Sequence, residues 1–310
     1  MNNCWITIFT PTFNRCVYLK KLYGSLLRQS DRRFIWLIVD DGSSDDTSAQ
    51  VRSWQGEGKI SIEYIYQENG GKHAAHNTGV KNTKTAYFFC VDSDDELPEN
   101  SIKTVCEAIP DTLKRPDIAG IIAKKGYLDG EDQCTELPDT ISEVSIRDIY
   151  KIHQLKGELA LIFKTEVLKE FLFPVFPGER FVTESVILNR ISMKYKMNLL
   201  NKVIYMGEYI PDGYTKNLSQ VHKSNPKGFH YYLLQEIELA RTASELKHAL
   251  SNYIAGCWKI GYKVQLDFKC RISNLPGAIL LFLKLRMKER IIRSDFFRAV
   301  LKRMLKTKYL

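Results

Sequence analysis

The chain has 310 residues, of which 44% are hydrophobic and 26% are charged, as is typical of a soluble globular protein with one large or two modest domains. Its formal net charge is +9, and residues 271–310 account for all of it because they contain eleven Lys or Arg and two acids. The first 270 residues are therefore formally neutral, which argues against a generally basic nucleic-acid-binding domain.

The cysteines and the N-terminal residues favour a cytoplasmic protein. The seven cysteines are scattered, odd in number and include no Cys-x-x-Cys pair, as expected for reduced thiols. The N-terminal residues lack the basic region and the cleavage site of a secretory signal. No uninterrupted apolar run approaches the roughly 20 residues that span a bilayer.

The first hundred residues alternate between strand-like and helix-like patterns, which predicts βαβ units and a mostly parallel sheet. Apolar β-branched and aromatic runs predict strands at 5–9, 34–40, 60–66 and 86–91, and the stretches between and after them predict helices at about 15–29, 45–55, 72–82 and 99–109. Further along, strand-like runs lie at 118–123, 159–164 and 199–209, a helix-like segment lies at 183–195, and the pattern beyond 213 is helical.

Each of the first four predicted strands leads into a polar loop. The loops are TPTFNR at 10–15, DDGSSDDT at 40–47, QENGGKHAAHN at 67–77 and DSDDELPE at 92–99. Any one of them has an ordinary structural explanation, such as a helix cap at Ser44 or Asp45 or a turn at Gly70. Ligands of parallel α/β sheets bind beyond the carboxyl ends of the strands, so four polar loops at one edge indicate a binding site.

The fourth loop contains an Asp-x-Asp pair, Asp92 and Asp94, with Asp95 beside it. In extended backbone, residues i and i+2 point to the same side, and two adjacent carboxylates repel unless a cation neutralises them. Their oxygens suit Mg²⁺ or Mn²⁺, which commonly also binds substrate phosphates. An acidic turn that caps a helix remains the alternative interpretation.

The second and third loops suit a nucleotide. The carboxylates of 39 VDDGS 43 could hydrogen-bond a ribose or a base, and Gly42 would let the backbone pass close by. Gly70, Gly71 and Lys72 lead into a helix and could bring a diphosphate near a cation and a helix N-terminus. The sequence has neither a Walker A motif nor a GxGxxG after the first strand.

In their order and spacing, TPTFNR, VDDGSSDDT, ENGGKHAAHNTG and VDSDDELP resemble the family 2 glycosyltransferases of the GT-A fold, over roughly residues 5–210. The resemblance extends to bacterial surface-polysaccharide enzymes. It implies an α/β, Rossmann-like fold with a mostly parallel mixed sheet and helices on both faces. It also implies a UDP-sugar donor, Mn²⁺ or Mg²⁺ at its diphosphate, and transfer with inversion at the anomeric carbon.

The resemblance assigns roles position by position. His76 stands where the family commonly has Arg, so phosphate or base contact at this position is absent or becomes pH-dependent. Asp92 and Asp94 are the implied metal ligands. The implied nucleotide-sugar contacts are Pro11, Thr12, Asn14, Asp41, Asn69, Lys72, Asp92 and Ser93.

Inverting transfer also needs a general base for the acceptor hydroxyl. The family has a Glu-Asp pair at the start of a helix in the second half, and this chain has Glu184-Ser185. Glu184 is then the nearest candidate base, with Glu179 and Asp212 as alternatives, although an acid at a helix N-terminus can be purely structural. His222 is a weaker candidate for a metal ligand.

The C-terminal segment 276–310 places Leu280, Leu283, Met287 and Ile291 at helical spacing among Lys and Arg. A basic amphipathic helix is typical of binding to an anionic membrane surface. The alternative is a helix that packs on the catalytic domain with a solvated basic face. Membrane binding would suit a lipid-linked acceptor at the inner face of the cytoplasmic membrane.

We therefore predict a GT-A catalytic domain at 1–212, with a nucleotide-sugar half at about 1–100 and an acceptor half at about 101–212, followed by a helical region at 213–310. The expected activity is metal-dependent hexosyl transfer from a UDP-sugar to a glycan, in capsule, exopolysaccharide or O-antigen-type synthesis. Alternatives within this chemistry are transfer from another nucleotide-sugar or onto a soluble or protein acceptor. A further alternative is a nucleotide-sugar-binding protein with weak or lost catalysis, because Ser185 replaces the usual Asp.

Overall fold

The computed structural model describes residues 5–128, 133–135, 140–207 and 217–262. Asp212, the predicted domain boundary at 212 and the basic segment 276–310 lie outside the described residues. The chain divides into two compact units, Met1–Phe229 and His230–Leu310. The two predicted domains therefore stay a prediction.

The first half of the unit Met1–Phe229 alternates strands and helices as the sequence predicts. The first strand runs three residues further than predicted, so that Pro11 and Thr12 are its last two residues. The elements are β1 (Ile6–Thr12), α1 (Cys16–Leu27), β2 (Phe34–Asp40), α2 (Thr47–Glu57), β3 (Ile62–Tyr66), α3 (Lys72–Asn82), β4 (Tyr87–Cys90) and α4 (Ser101–Leu113).

The remaining described elements include three that the sequence did not predict: a two-residue strand and a helix before the strand at 159–164, and a short helix directly after that strand. They are β5 (Ile118–Gly126), β6 (Glu143–Val144), α5 (Ile146–Lys151), β7 (Leu159–Lys164), α6 (Thr165–Glu170), α7 (Ser185–Lys194), β8 (Lys196–Met206), α8 (Leu218–Ser224), α9 (Pro226–Glu238) and α10 (Ala243–Ile260). Within the described part of the chain, none of the helices combines the length and hydropathy needed to cross a membrane.

The eight strands form one mixed sheet in the order β3-β2-β1-β4-β7-β5-β8-β6. β1 to β4 pair in parallel, and β7 runs antiparallel to both of its neighbours. The strand order reverses between β1 and β4, with Phe9 opposite Cys90. Such a switch point leaves a crevice at the carboxyl ends of the strands, and the loops after β1 and β4 flank it.

Helices cover both faces of the sheet because successive side chains of a strand point to opposite sides. Ile6 and Ile8 belong to the buried cluster that includes Leu19 of α1. Phe9, the next residue along β1, packs instead against His76 of α3, with ring centroids 5.7 Å apart. Apolar side chains on both faces of β1 are thus buried, as expected for a sheet that is covered by helices on both sides.

Three stacked aromatic rings fix α1 and α2 against β2. The ring of Tyr23 lies 4.3 Å from that of Trp54 and 6.0 Å from that of Trp36. Trp36 is fully buried, and its indole Nε1 donates a hydrogen bond to Thr10 Oγ1 at 2.9 Å. A buried Trp needs such a partner for its N–H, so this contact ties β2 to β1 within the core.

The side chain of Asn77 joins α3 to the segment that follows α6. Its amide nitrogen donates to Phe173 O, and its amide oxygen accepts from Phe173 N, both at 2.9 Å. Asn77 is only 7% exposed. These two hydrogen bonds provide partners for the backbone N–H and C=O of Phe173, which lies in a segment without regular secondary structure. Buried backbone groups need such partners.

We expect Asn77→Ala to lower the free energy of unfolding by about 2–5 kcal/mol, because the N–H and the C=O of Phe173 lose their partner while buried. The matched control is Asn82→Ala on the same helix, where the exposed amide bonds Thr78 O and the expected change is within about 0.5 kcal/mol. Urea denaturation followed by circular dichroism measures both. Equal losses in the two variants would contradict this role of Asn77.

Candidate active site

Hydrogen bonds tie the loop after β1 to the loop after β2. Asn14 adopts a left-handed backbone conformation with φ of 53°, which Asn tolerates better than most residues. Its N–H donates to Ser43 Oγ at 2.9 Å, and its side-chain oxygen accepts from Ser44 N at 2.8 Å. Thr12 just before it is 3% exposed, and its buried hydroxyl has no hydrogen-bond partner among the described residues.

Asp41 ties the loop after β2 to the loop after β3. Its carboxylate accepts hydrogen bonds from Gln67 Nε2 at 2.6 Å, Gly70 N at 2.9 Å and Gly71 N at 2.7 Å. The residue is 4% exposed. Asp41 therefore shapes the predicted nucleoside pocket by fixing the Gly-Gly turn, and contact with a nucleoside stays a prediction.

Glycine lets these two loops approach each other and a third segment. Gly42 has φ of +88°, and a Cβ there would lie 3.0 Å from the backbone nitrogen of Asn69. At Gly71, with φ of +89°, a Cβ would overlap the carbonyl oxygen of Arg180. Only glycine suits such positions. The turn before α3 is consequently in backbone contact with the segment that leads to Glu184.

Lys72, the first residue of α3, brings two other predicted site residues together. Its Nζ lies 2.8 Å from Asp92 Oδ1 and 2.9 Å from Glu184 Oε1. Burial alone would lower the pKa of Lys72, but the two carboxylates outweigh it and raise that pKa well above its usual value. Lys72 is therefore a cation at neutral pH that links the loop after β4 to the start of α7.

The second carboxylate of the Asp-x-Asp pair also has a cationic partner. Asp94 Oδ2 lies 2.7 Å from Arg15 Nη1, and the Asp94 side chain is 19% exposed. Arg15 is not among the site residues predicted from the sequence. Its position at the end of TPTFNR, directly beyond β1, was the available signal, because β1 pairs with β4 at the switch point.

Asp95 is connected to the Asp-x-Asp pair through hydrogen bonds to Tyr205. It is 5% exposed and accepts hydrogen bonds from Tyr205 OH at 2.7 Å and Lys125 Nζ at 3.3 Å. The same phenol oxygen accepts the N–H of Asp92 at 3.0 Å. Burial raises the pKa of Asp95 to about 6, against the opposing effect of Lys125. Ser93, between the two aspartates, is 4% exposed.

The two described candidates for the general base differ in their surroundings. The Glu184 side chain is 60% exposed, and its one ion pair with a described residue is the contact with Lys72. Glu179 is 7% exposed, and its two oxygens accept the backbone N–H groups of Lys227 and Gly228, both at 2.8 Å. Capping a helix start engages both oxygens of Glu179, which leaves Glu184 as the accessible carboxylate.

Among the described residues, the predicted metal ligands are the Asp-x-Asp pair and the weaker candidate His222, and they stay a prediction. His222 stacks on Phe229, with ring centroids 3.8 Å apart. In the parts of the chain that the structure describes, no three His, Cys, Asp or Glu side chains cluster as a metal site would need. Asp92 and Asp94 still suit Mg²⁺ or Mn²⁺ chemically, since such ions often take one or two carboxylates and complete their shell with phosphate oxygens and water.

His76 lies in an aromatic cage. Its ring is 5.7 Å from Phe9, 5.2 Å from Phe88 and 5.2 Å from Phe173. Burial lowers the pKa of His76 to about 4, with Glu184 acting in the opposite direction and Lys72 in the same one. The ring is therefore neutral at pH 7 and cannot supply the positive charge of the Arg that it replaces.

Part of the chain matches a known protein family. Residues 7–130 match the family described as Glycosyl transferase family 2. The chain is a glycosyltransferase with a family 2 domain. Over 311 residues it is 24% identical to a Campylobacter jejuni protein named GalNAc(5)-diNAcBac-PP-undecaprenol beta-1,3-glucosyltransferase, covering 96% of this chain and 98% of that protein.

A second relative matches a shorter part of the chain. The glycosyltransferase GlyA of Streptococcus pneumoniae is 36% identical over 104 residues, which are 34% of this chain and 15% of that protein.

Two solved structures show the fold of this glycosyltransferase. Staphylococcus aureus TarS 1-349 in complex with UDP-GlcNAc superposes with a TM-score of 0.53 at 18% identity, covering 89% of this chain and 79% of that one. The mannosyltransferase PcManGT from Pyrobaculum calidifontis, in complex with GDP-Man and Mn²⁺, gives 0.53 at 18% identity, covering 98% and 80%. The predicted GT-A fold is thus confirmed.

The neutral His76 predicts a pH-dependent stability. Because folding lowers its pKa from 6.5 to about 4, the neutral ring stabilises the fold above pH 6.5, and that contribution is lost as pH falls toward 4. In His76→Phe, which keeps an aromatic ring, we expect the free energy of unfolding to fall less steeply over this range, by up to about 1.4 kcal/mol per pH unit.

Urea denaturation at a series of pH values measures this slope. The control is His153→Phe, an exposed position after α5. Identical slopes for the wild type and His76→Phe would show that His76 does not stay neutral on folding.

Proposed function

We propose that this glycosyltransferase moves a sugar from a UDP-sugar to a glycan acceptor, with inversion and with a divalent metal ion. The observation that carries the proposal is the contact of Lys72 with both Asp92 and Glu184, at 2.8 Å and 2.9 Å. Through Lys72, Asp92 of the proposed donor site lies close to the candidate base Glu184. Direct displacement at the anomeric carbon requires the donor and the base to be close together.

The nucleotide-sugar would bind along the carboxyl ends of β1, β2 and β4. Its diphosphate lies near Lys72, Asp92 and Ser93, and its nucleoside contacts the predicted pocket formed by Pro11, Thr12, Asn14, Asp41 and Asn69. The switch point between β1 and β4 supports this placement. The UDP-GlcNAc complex of TarS supports a UDP-sugar as the donor.

Asp92 and Asp94 would hold Mn²⁺ or Mg²⁺. Their carboxylates are hard oxygen ligands, and the Mn²⁺ complex of PcManGT supports such an ion. When bound, the ion stabilises the charge that develops on the departing diphosphate. Lys72 and Arg15 already neutralise these carboxylates in part, so the ion binds in competition with two protein cations.

Glu184 would act as the general base. Its exposed carboxylate takes the proton of the acceptor hydroxyl while the hydroxyl oxygen bonds to the anomeric carbon and the bond to the diphosphate breaks. The Lys72 ammonium holds Glu184 toward the donor side. Tyr205 and Asp95 keep the backbone of Asp92 in place during this step.

The acceptor is proposed to be a lipid-linked glycan at the inner face of the cytoplasmic membrane, in surface-polysaccharide synthesis. The name of the Campylobacter jejuni relative, which specifies a glycan on PP-undecaprenol, supports this assignment. Residues 276–310, with their basic amphipathic sequence, would bind the anionic membrane surface. A soluble or protein acceptor is the alternative within the same chemistry.

We expect Glu184→Gln to reduce turnover by about 10²–10⁴-fold, because the amide cannot accept the proton. Binding of UDP should stay within about threefold of wild type, since loss of one exposed ion pair changes little. Release of UDP from a panel of UDP-sugars and lipid-linked acceptors, with and without Mn²⁺, measures turnover, and calorimetry measures binding.

The matched control is Glu166→Gln, where the glutamate side chain is 83% exposed on α6 and turnover should be unchanged. Retained turnover in Glu184→Gln would exclude Glu184 as the base. Binding of UDP-sugars by the wild type without turnover on any acceptor would instead support a nucleotide-sugar-binding protein, the alternative that Ser185 suggests.

A further inference from the structure

Arg15 is a cation at the candidate donor site to which neither the sequence nor the relatives assign a role. Its Nη1 lies 2.7 Å from Asp94 Oδ2, and its side chain is 31% exposed. The guanidinium also lies over the ring of Tyr18, 5.3 Å from the ring centroid. Arg15 is thus held at the edge of the crevice by one carboxylate and one aromatic ring.

The backbone of Arg15 is fixed while its side chain reaches into solvent. Arg15 precedes the first turn of α1, and the N–H of the next residue, Cys16, donates to Asp45 Oδ2 at 3.0 Å. A change of partner therefore requires rotation of the Arg15 side chain only. Partly exposed ion pairs add little to folding stability, so stability alone gives no strong reason for the Arg15–Asp94 pair.

The charges around the Asp-x-Asp pair are arranged for an exchange of partners. Asp92, Asp94 and Glu184 bring three carboxylates, and Lys72 and Arg15 bring two cations. A divalent ion at Asp94 would leave the Arg15 guanidinium beside the site without its carboxylate. A diphosphate supplies the replacement, since a guanidinium binds phosphate oxygens through two parallel hydrogen bonds.

We propose that Arg15 is a diphosphate-binding residue whose guanidinium Asp94 holds beside the donor site. Asp94 gives up the guanidinium when it binds the divalent ion, and Arg15 then turns to the diphosphate of the donor. This inference rests on the proposed nucleotide-sugar site. It adds Arg15 to that site, and it states that Arg15 pairs with Asp94 before the divalent ion binds and with the diphosphate afterwards.

The exchange predicts opposite effects of Arg15→Gln on two ligands. Affinity for UDP in the presence of Mn²⁺ should fall by about tenfold to a hundredfold, the range for loss of hydrogen bonds to a charged group. Affinity for Mn²⁺ without nucleotide should rise by about two- to fivefold, because Asp94 loses a competing cation. Calorimetry measures the first affinity, and electron paramagnetic resonance of free Mn²⁺ measures the second.

The matched control is Arg28→Gln. Arg28 also joins α1 to the loop after β4, through Glu96 at 3.0 Å, with its side chain 61% exposed. This variant should leave both affinities unchanged. Arg15→Lys, which keeps the charge without the two-pronged geometry, should bind UDP with intermediate affinity, and thermal melting confirms that each variant is folded.

Each remaining outcome overturns the inference. Parallel losses of both affinities, or the same changes in Arg28→Gln, would assign Arg15 a purely structural role. Unchanged UDP affinity in Arg15→Gln would remove it from the diphosphate site while leaving the proposed function intact. Failure of the wild type to bind UDP at any Mn²⁺ concentration would overturn the proposed function and the inference together.

Discussion

A single ammonium group, that of Lys72, neutralises carboxylates from both sides of the candidate site. Asp92 follows β4 in the predicted nucleotide-sugar half, and Glu184 precedes α7 in the predicted acceptor half. Lys72 occupies this position because α3 starts there, after a Gly-Gly turn that Asp41 fixes through two backbone N–H groups. The candidate base and the donor site therefore depend on one turn and one cation.

The sheet topology brings these groups together. Reversal of the strand order between β1 and β4 opens the crevice, and contacts across it join loops that are far apart in the chain. Arg15 meets Asp94, and Tyr205 meets both Asp92 and Asp95. The carboxylates of Asp92, Asp94 and Asp95 thus accept hydrogen bonds from Lys72, Arg15 and Tyr205, respectively. These donors relieve the repulsion that three neighbouring acids would otherwise create.

The sequence predicts the fold and the loops of the site because hydrophobic periodicity and turn residues are local signals. It does not predict the partners of those loops. Arg15 and Asp94 are 79 residues apart, and Tyr205 and Asp95 are 110 apart, so their contacts depend on strand order and register. For the same reason, the helix-capping contacts of Glu179 could not be distinguished from a catalytic role by sequence alone.

We propose that a nucleoside diphosphate binds at the crevice between β1 and β4, with its phosphates at Lys72 and the Asp-x-Asp pair. A crystal structure of the protein with UDP and Mn²⁺, with anomalous scattering to locate the metal, is the most direct test of this binding mode. We expect Mn²⁺ beside Asp92 and Asp94 and diphosphate oxygens within hydrogen-bonding distance of Lys72 Nζ. Ordered UDP elsewhere on the protein, or a diphosphate that points away from Lys72, would contradict it.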